Sequence, residues 1–325
     1  MLLGYLLICF IIIGVLSNVD YLTTQQYYAH AELYLSNTVK DFKLEGGSGV
    51  VAVNPNTDMV FVTNTKSDTV SVFDGSNNNL VSVFKVGNKP YGIGINPETN
   101  ILYVARERNN ILTVVDGSTH DIKENIEISG PYDIAVNSKT NMIYVTSNVA
   151  NLVFVIDGNT NTIQTSIDIQ VPCGIAINTK TNTIYVTSET TDKVHVIDGL
   201  TNTQIDTIKV SDSPRGVAVN QDTNIVYVTN QNSGTLSVID GSTNEVIDTI
   251  KVVQPYEMAV DSRNNKVYIT YFGTGMLSII GESLEERSST QLFYVVLGIS
   301  IAVLVGGIVG RILYNKQAHT RIRHS

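Results

Sequence analysis

Tyrosine and arginine recur at one place in this chain. At intervals of 41 or 42 residues it carries Gly49, Tyr91, Tyr132, Cys173, Arg215 and Tyr256, each after a proline or, in the first case, Ser48, and Asp133 and Glu257 follow two of them directly. Residues set apart by a constant interval occupy equivalent places in successive structural units, so these positions converge wherever the units close on one another. Arg106, Glu107 and Arg108 belong to a neighbouring loop of the same unit as Tyr91, which places three of the five arginines ahead of residue 292 on one face. Guanidinium forks and phenol rings grip carboxylates, phosphates and sugars by bidentate hydrogen bonding and stacking. Tyr91, Arg106, Arg108, Tyr132, Arg215 and Tyr256 therefore form the candidate ligand site. The plainer alternative makes them rim residues paired with nearby acids.

Catalytic chemistry finds less to work with. An enzyme needs a cluster of metal ligands or a nucleophile beside a base. The five histidines, His30, His120, His195, His319 and His324, include no pair with metal-ligand spacing. Cys173 has no histidine at the other equivalent positions and reads as a buried or idle thiol. No glycine-rich nucleotide loop occurs. Asp-Gly pairs at 74–75, 116–117, 157–158, 198–199 and 240–241 offer one acid per loop, whereas calcium takes six to eight oxygens; they read as turn residues. No catalytic residue, metal site or cofactor is assigned.

The elements that must carry these residues follow from the repeat. A second series keeps step with the Asp-Gly pairs: Phe-Val-Thr-Asn at 61–64, Tyr-Val-Ala-Arg at 103–106, Tyr-Val-Thr-Ser at 144–147 and 185–188, Tyr-Val-Thr-Asn at 227–230 and Tyr-Ile-Thr-Tyr at 268–271. Openers of the type Pro-Arg-Gly-Val-Ala-Val-Asn, at 214–220, form a third. Each unit holds four short β-strands separated by Asn, Thr, Asp and Gly turn residues, in the fourth unit at 174–177, 183–187, 194–197 and 204–210. Four strands in about 41 residues make one propeller blade. Ala52, Gly94, Ala135, Ala176, Ala218 and Ala259 are the small residues that the crowded centre of such a ring requires, and the repeated Tyr is a core residue whose hydroxyl needs a partner. The expectation is an all-β, six-bladed β-propeller. Its sixth unit lacks a fourth strand, and residues 38–44 resemble one; pairing them into the last blade closes the ring.

The Tyr-Val-Thr-Asn tetrapeptides, the Pro-opened strands and the Asp-Gly turns together resemble the YVTN-repeat β-propeller family, over roughly residues 38 to 281. That family includes surface-layer, surface-antigen and periplasmic propellers, so the resemblance implies a place outside the cytoplasmic membrane without fixing an activity. Its members are often seven-bladed, and here the count is six units plus a closing strand.

Outside the repeats lie two apolar runs. Residues 2–16 have the length of an export-signal core, so 1–31 is read as a signal peptide or N-terminal anchor with its lead-in. Residues 292–310 carry no charge and at ~1.5 Å per residue match a ~30 Å hydrocarbon core. Arg311, Lys316, Arg321 and Arg323 follow, which by the positive-inside rule places 311–325 in the cytoplasm and the propeller, 32–281, outside, above a polar stalk at 282–291. The net charge is −9, and without that basic tail the chain has 17 basic against 30 acidic residues. Such a body repels a phosphate backbone, and no nucleic-acid partner is expected. The leading functional expectation is a membrane-anchored surface binding or scaffold module with an envelope protein or glycan as partner. An extracytoplasmic enzyme or electron-transfer subunit with a cofactor in the channel, and a structural envelope component, are the alternatives.

Overall fold

The computed structural model describes residues 48–77, 79–262, 265–271 and 277–281. Over these the protein is all-β, with 23 strands, one short 3₁₀ turn at Glu107–Asn109 and no other helix. The strands form six antiparallel sheets, five of four strands and a sixth of three. The first sheet is β1 (Ser48–Asn54), β2 (Met59–Asn64), β3 (Thr69–Asp74) and β4 (Asn79–Lys85), paired in chain order. The others repeat this order over 93–127, 134–168, 172–209, 214–251 and 255–281. Each sheet is thus a meander contributed by one repeat, and the arrangement is propeller-like.

Turn chemistry explains why the chain reverses where it does. Asp58, Asn100, Asn141, Asn182, Asn224 and Asn265 join the first strand of each sheet to the second, and all have positive φ, between 49° and 57°. Asn and Asp tolerate this left-handed conformation best among residues with a Cβ. The next hairpin but one is made by the Asp-Gly pairs, whose aspartates accept local backbone N–H groups, as Asp116 does from Ser118 and Thr119.

Burial is greatest in the second and third strands of each sheet and least in the fourth. Second strands such as Ile225–Asn230 are buried on both faces and so carry unbroken apolar runs, while fourth strands such as Thr203–Lys209 are exposed except at Ile208. The core is a set of apolar layers between neighbouring sheets. Five clusters correspond to the five boundaries from first–second to fifth–sixth; Tyr185, Val196, Ile208, Val210, Val217 and Val228, for example, join the fourth sheet to the fifth. Of the repeated tyrosines Tyr103, Tyr144, Tyr185 and Tyr227 are buried as expected and Tyr268 is half-buried, and Tyr144 donates its hydroxyl hydrogen to Asn202 Oδ1 of the next sheet at 2.8 Å.

Polar bonds cross the same boundaries. The asparagine that ends each first strand donates from Nδ2 to the left-handed asparagine of the next sheet: Asn54 to Asn100, Asn96 to Asn141, Asn137 to Asn182, Asn178 to Asn224 and Asn220 to Asn265, at 2.6–2.7 Å. All five donors are fully buried, where a satisfied amide pair favours one register between sheets.

Among the described residues no helix is long and apolar enough to cross a membrane. The expected export segment at 1–31, closing strand at 38–44, stalk at 282–291, membrane helix at 292–310 and basic tail at 311–325 lie outside the described residues.

Candidate ligand site at the channel mouth

The recurrent threonine of the second strands positions the mouth. In the fourth sheet the pairing of first and second strands shifts register between Pro172 and Ile175. Thr187 fills the irregularity: its Oγ1 accepts from Gly174 N at 2.9 Å and donates to the carbonyl of Arg215, in the next sheet, at 2.6 Å. Thr63, Thr146 and Thr229 hold the carbonyls of Tyr91, Cys173 and Tyr256 in the same way at 2.7–2.9 Å. Each mouth residue so held is fixed through its backbone by the preceding sheet. In the second sheet Ala105 replaces the threonine, and Tyr132 receives no hydroxyl from that position. After Tyr91 and Cys173 the close approach requires glycine; a Cβ on Gly92 or Gly174 would collide with the carbonyl oxygen of Tyr132 or Arg215.

Four of the six candidate residues meet. Arg215 donates from one terminal nitrogen to the hydroxyls of Tyr132 and Tyr256 at 2.8 and 2.9 Å, and its guanidinium carbon lies 4.4 Å from the centre of the Tyr256 ring. Tyr132 donates to the Tyr91 hydroxyl at 3.2 Å, the Tyr91 and Tyr256 hydroxyls are 3.3 Å apart, and the rings of Tyr91 and Tyr132 stack at 4.8 Å. Second, third, fifth and sixth sheets are thus tied together by side chains alone. The other terminal nitrogen of Arg215 is 3.8 Å from Glu189 Oε2, whose carboxylate also accepts from the Cys173 thiol at 3.4 Å.

Two further carboxyl groups complete the site. Asp133 accepts from the backbone N–H groups of Ile134 and Ile175 at 2.9 and 3.1 Å. Burial pushes its carboxyl up to about 6 in spite of those two bonds. Glu257 is pushed up to about 8, by burial first and then by the charge of Asp133, with Arg215 opposing. Asp133 and Glu257 come from the third and sixth sheets. Burial also raises the Tyr91 and Tyr132 phenols well above the ordinary tyrosine value. It disfavours the charge on Arg215, but the groups of Tyr132, Tyr256, Cys173 and Glu189 outweigh this, and the guanidinium holds its proton more firmly than usual. The Cys173 thiol is driven up to about 12 by burial and by Glu189, so it remains a protonated hydrogen-bond donor and not a nucleophile.

Arg106 and Arg108 are placed apart from this cluster. Arg106 runs outward along its own sheet to Asn125 Oδ1 at 2.9 Å and packs against Gly87, and Arg108 is exposed in the 3₁₀ turn. Glu189, the ion-pair partner of Arg215, was missed at the level of sequence. The signal available was an acid directly after Tyr-Val-Thr-Ser, where the third and fifth repeats have Asn148 and Gln231. His195 contacts Gln204 at 2.6 Å, and burial lowers its pKa. Among the described residues no group of three His, Cys, Asp or Glu could hold a metal ion.

Chemically, the site offers phenol hydroxyls, a guanidinium and a carboxyl pair around the entrance to a ring. Hydroxyl-rich and carboxylate ligands are matched by these donors and acceptors.

A family model described as a YNCE-like beta-propeller matches residues 46–199. The match is consistent with the YVTN-type propeller family that the repeat motifs resemble. Among solved structures, the "Kuenenia stuttgartiensis Hydrazine Synthase" is similar with a TM-score of 0.55 at 12% identity, over 76% of this chain and 99% of that one. At such identity the likeness is one of fold. No curated protein matches the chain.

Proposed function

We propose that this chain is a membrane-anchored, extracytoplasmic binding or scaffold module that takes an envelope glycan or protein at the channel mouth. In this reading it is a six-bladed propeller, closed by residues 38–44, exported by 1–31 and held by a helix at 292–310 with the basic tail in the cytoplasm. It is not an enzyme in this reading, and it binds no nucleic acid.

The observation that carries the proposal is the convergence of Tyr91, Tyr132, Arg215 and Tyr256, from four sheets, on one hydrogen-bonded cluster at the axis. Packing alone does not call for polar side chains there. Ligand carboxylates or hydroxyls can replace the phenol oxygens on Arg215 while the Tyr rings supply stacking surface.

The test is binding of defined polymers, an acidic and a neutral polysaccharide, to the full-length chain in detergent micelles, followed by affinity electrophoresis. The expected result is retardation that Arg215→Gln weakens at least tenfold and Arg108→Gln leaves unchanged. Equal binding by wild type and Arg215→Gln removes the mouth as the binding site. Protease added to intact cells tests the topology: it must reach the propeller and spare the tail.

A further inference from the structure

The cluster at the mouth is rich in donors, and one of them is unpaired. Arg215 is mostly buried, and its Nη2 gives its hydrogens to the hydroxyls of Tyr132 and Tyr256. The adjoining Nε–H is buried and finds no hydrogen-bond partner among the described residues. Nη1 lies 3.8 Å from Glu189 Oε2, beyond hydrogen-bond length. A buried donor left unpaired is a cost that a ligand can remove. Nε and Nη2 together form the edge of a guanidinium that grips both oxygens of a carboxylate.

The acids around the cluster differ in what they can offer. Asp133 accepts backbone N–H groups on both oxygens, from Ile134 and Ile175, and Glu189 accepts from the Cys173 thiol. Glu257 bonds within its sheet through its backbone, to Thr270, and its Oε2 lies 3.1 Å from where a Cβ on Gly216 would stand, against the residue that follows Arg215. Burial and then the charge of Asp133 keep the Glu257 carboxyl protonated up to about 8, with Arg215 opposing. A neutral carboxyl donates where a carboxylate only accepts. The other titratable groups that act on Glu257 or feel it are Tyr91 of the second sheet and Cys173 of the fourth, both kept protonated by burial, beside its own neighbour Tyr256. The first sheet has Gly49 and Val50 at these positions.

Tyr132 is the least fixed member of the cluster. Threonine hydroxyls hold the carbonyls of Tyr91, Arg215 and Tyr256, whereas Ala105 offers none to Tyr132.

We propose that the mouth binds a sugar acid, whose carboxylate takes the Nε–Nη2 edge of Arg215 in place of the Tyr132 hydroxyl and meets the Glu257 carboxyl group on its other side. This rests on the mouth being the binding site and names the group recognised there. Glu257 donates its proton to the bound carboxylate. A sugar acid fits better than a peptide carboxylate because its hydroxyls can pair with the phenols of Tyr91 and Tyr256, which both donate and accept. Affinity then follows the proton on Glu257: it falls roughly tenfold from pH 7 to pH 9, as does the protonated fraction of a group that titrates at about 8.

The test is isothermal titration calorimetry of the full-length chain in detergent with sodium glucuronate, glucose as the neutral sugar and N-acetylglycine as the peptide-type carboxylate. Glucuronate is expected to bind best, to lose that tenfold by pH 9, and to take up a proton at pH 8, seen as different heats in phosphate and Tris. Identical heats in the two buffers overturn the role of Glu257 without recourse to any variant. Glu257→Gln, which keeps a donor and cannot ionise, should bind with an affinity independent of pH; the wild-type pH dependence in this variant overturns the same role. Tyr132→Phe, lacking the competing hydroxyl, should bind as tightly as wild type or tighter, and weaker binding overturns the exchange at Arg215. No heat from glucuronate, or tighter binding of N-acetylglycine, overturns the sugar acid. Glucuronate bound equally by wild type and Arg215→Gln overturns the mouth itself as the site, which tells that failure from the others.

Discussion

Replacing Thr187 by valine isolates the bond that holds Arg215 at the mouth. Valine keeps the shape of threonine, so no cavity opens and the loss is confined to the hydroxyl. Thr187 is fully buried, and its Oγ1 serves the Gly174 N–H at 2.9 Å and the Arg215 carbonyl at 2.6 Å. A buried donor or acceptor left without a partner costs about 1–3 kcal/mol. Two such groups, partly relieved by local movement, place the loss at about 2–4 kcal/mol. For a domain of this size ~1 kcal/mol lowers the melting temperature by about 2–4 °C, so Thr187→Val should melt ~4–16 °C below wild type. The assay is circular dichroism of the full-length chain in detergent, with Thr187→Ser as the control that retains the hydroxyl. Near-ultraviolet tyrosine signals should change as well, because Arg215 carries Tyr132 and Tyr256 with it. A Thr187→Val protein within about 1 °C of wild type, or a Thr187→Ser protein equally destabilised, would refute the role given to this hydroxyl.

Three other outcomes follow from the site. Glu257 holds its proton up to about 8 in the fold against about 4.3 in an unfolded chain, so the folded state binds the extra proton between those values and stability must fall as pH rises through that window. Glu257→Gln, a mimic of the protonated form, should flatten the decline in melting temperature between pH 6 and 8; parallel curves for variant and wild type would exclude it as the cause. With Cys9 changed to Ser, the chain should not react with iodoacetamide at pH 8 until denatured, because the Cys173 thiol is raised to about 12 by burial and Glu189; labelling of native protein would show the thiol accessible and ionised. Spectrophotometric titration to pH 11 should leave the Tyr91 and Tyr132 phenols protonated, because burial raises both; Arg215→Gln removes the cation that opposes this at Tyr132 and should raise that phenol further, and ionisation of either phenol below pH 11 would refute burial as the cause.

Much of the fold was legible because the repeat multiplies each local signal. A single Asp-Gly or Tyr-Val-Thr says little, but five or six copies in step define strand order, turn positions and the six sheets. The mouth residues were legible for the same reason, as equivalents at a constant interval. Arg106 and Arg108 show the limit: their loop is on the expected face, yet rotamer and packing direct Arg106 toward Asn125 and away from the axis. Glu189 shows the converse, a loop acid that only the fold brings to Arg215 and Cys173.

By itself the sequence determined the local backbone: where chain reversal needs a left-handed asparagine, where alternation yields an outer strand, and which position in each repeat is small. Only the tertiary structure decided which side chains share a hydrogen bond across the ring. The partners are 41 to 165 residues apart, as Arg215 is from Tyr256 and Tyr91 is from Tyr256. Such pairings depend on how the five stacked boundaries place the sheets around one another. The shifts of Asp133 and Glu257 belong to the same class, because burial and the field of an opposite sheet exist only once the sheets surround a common axis.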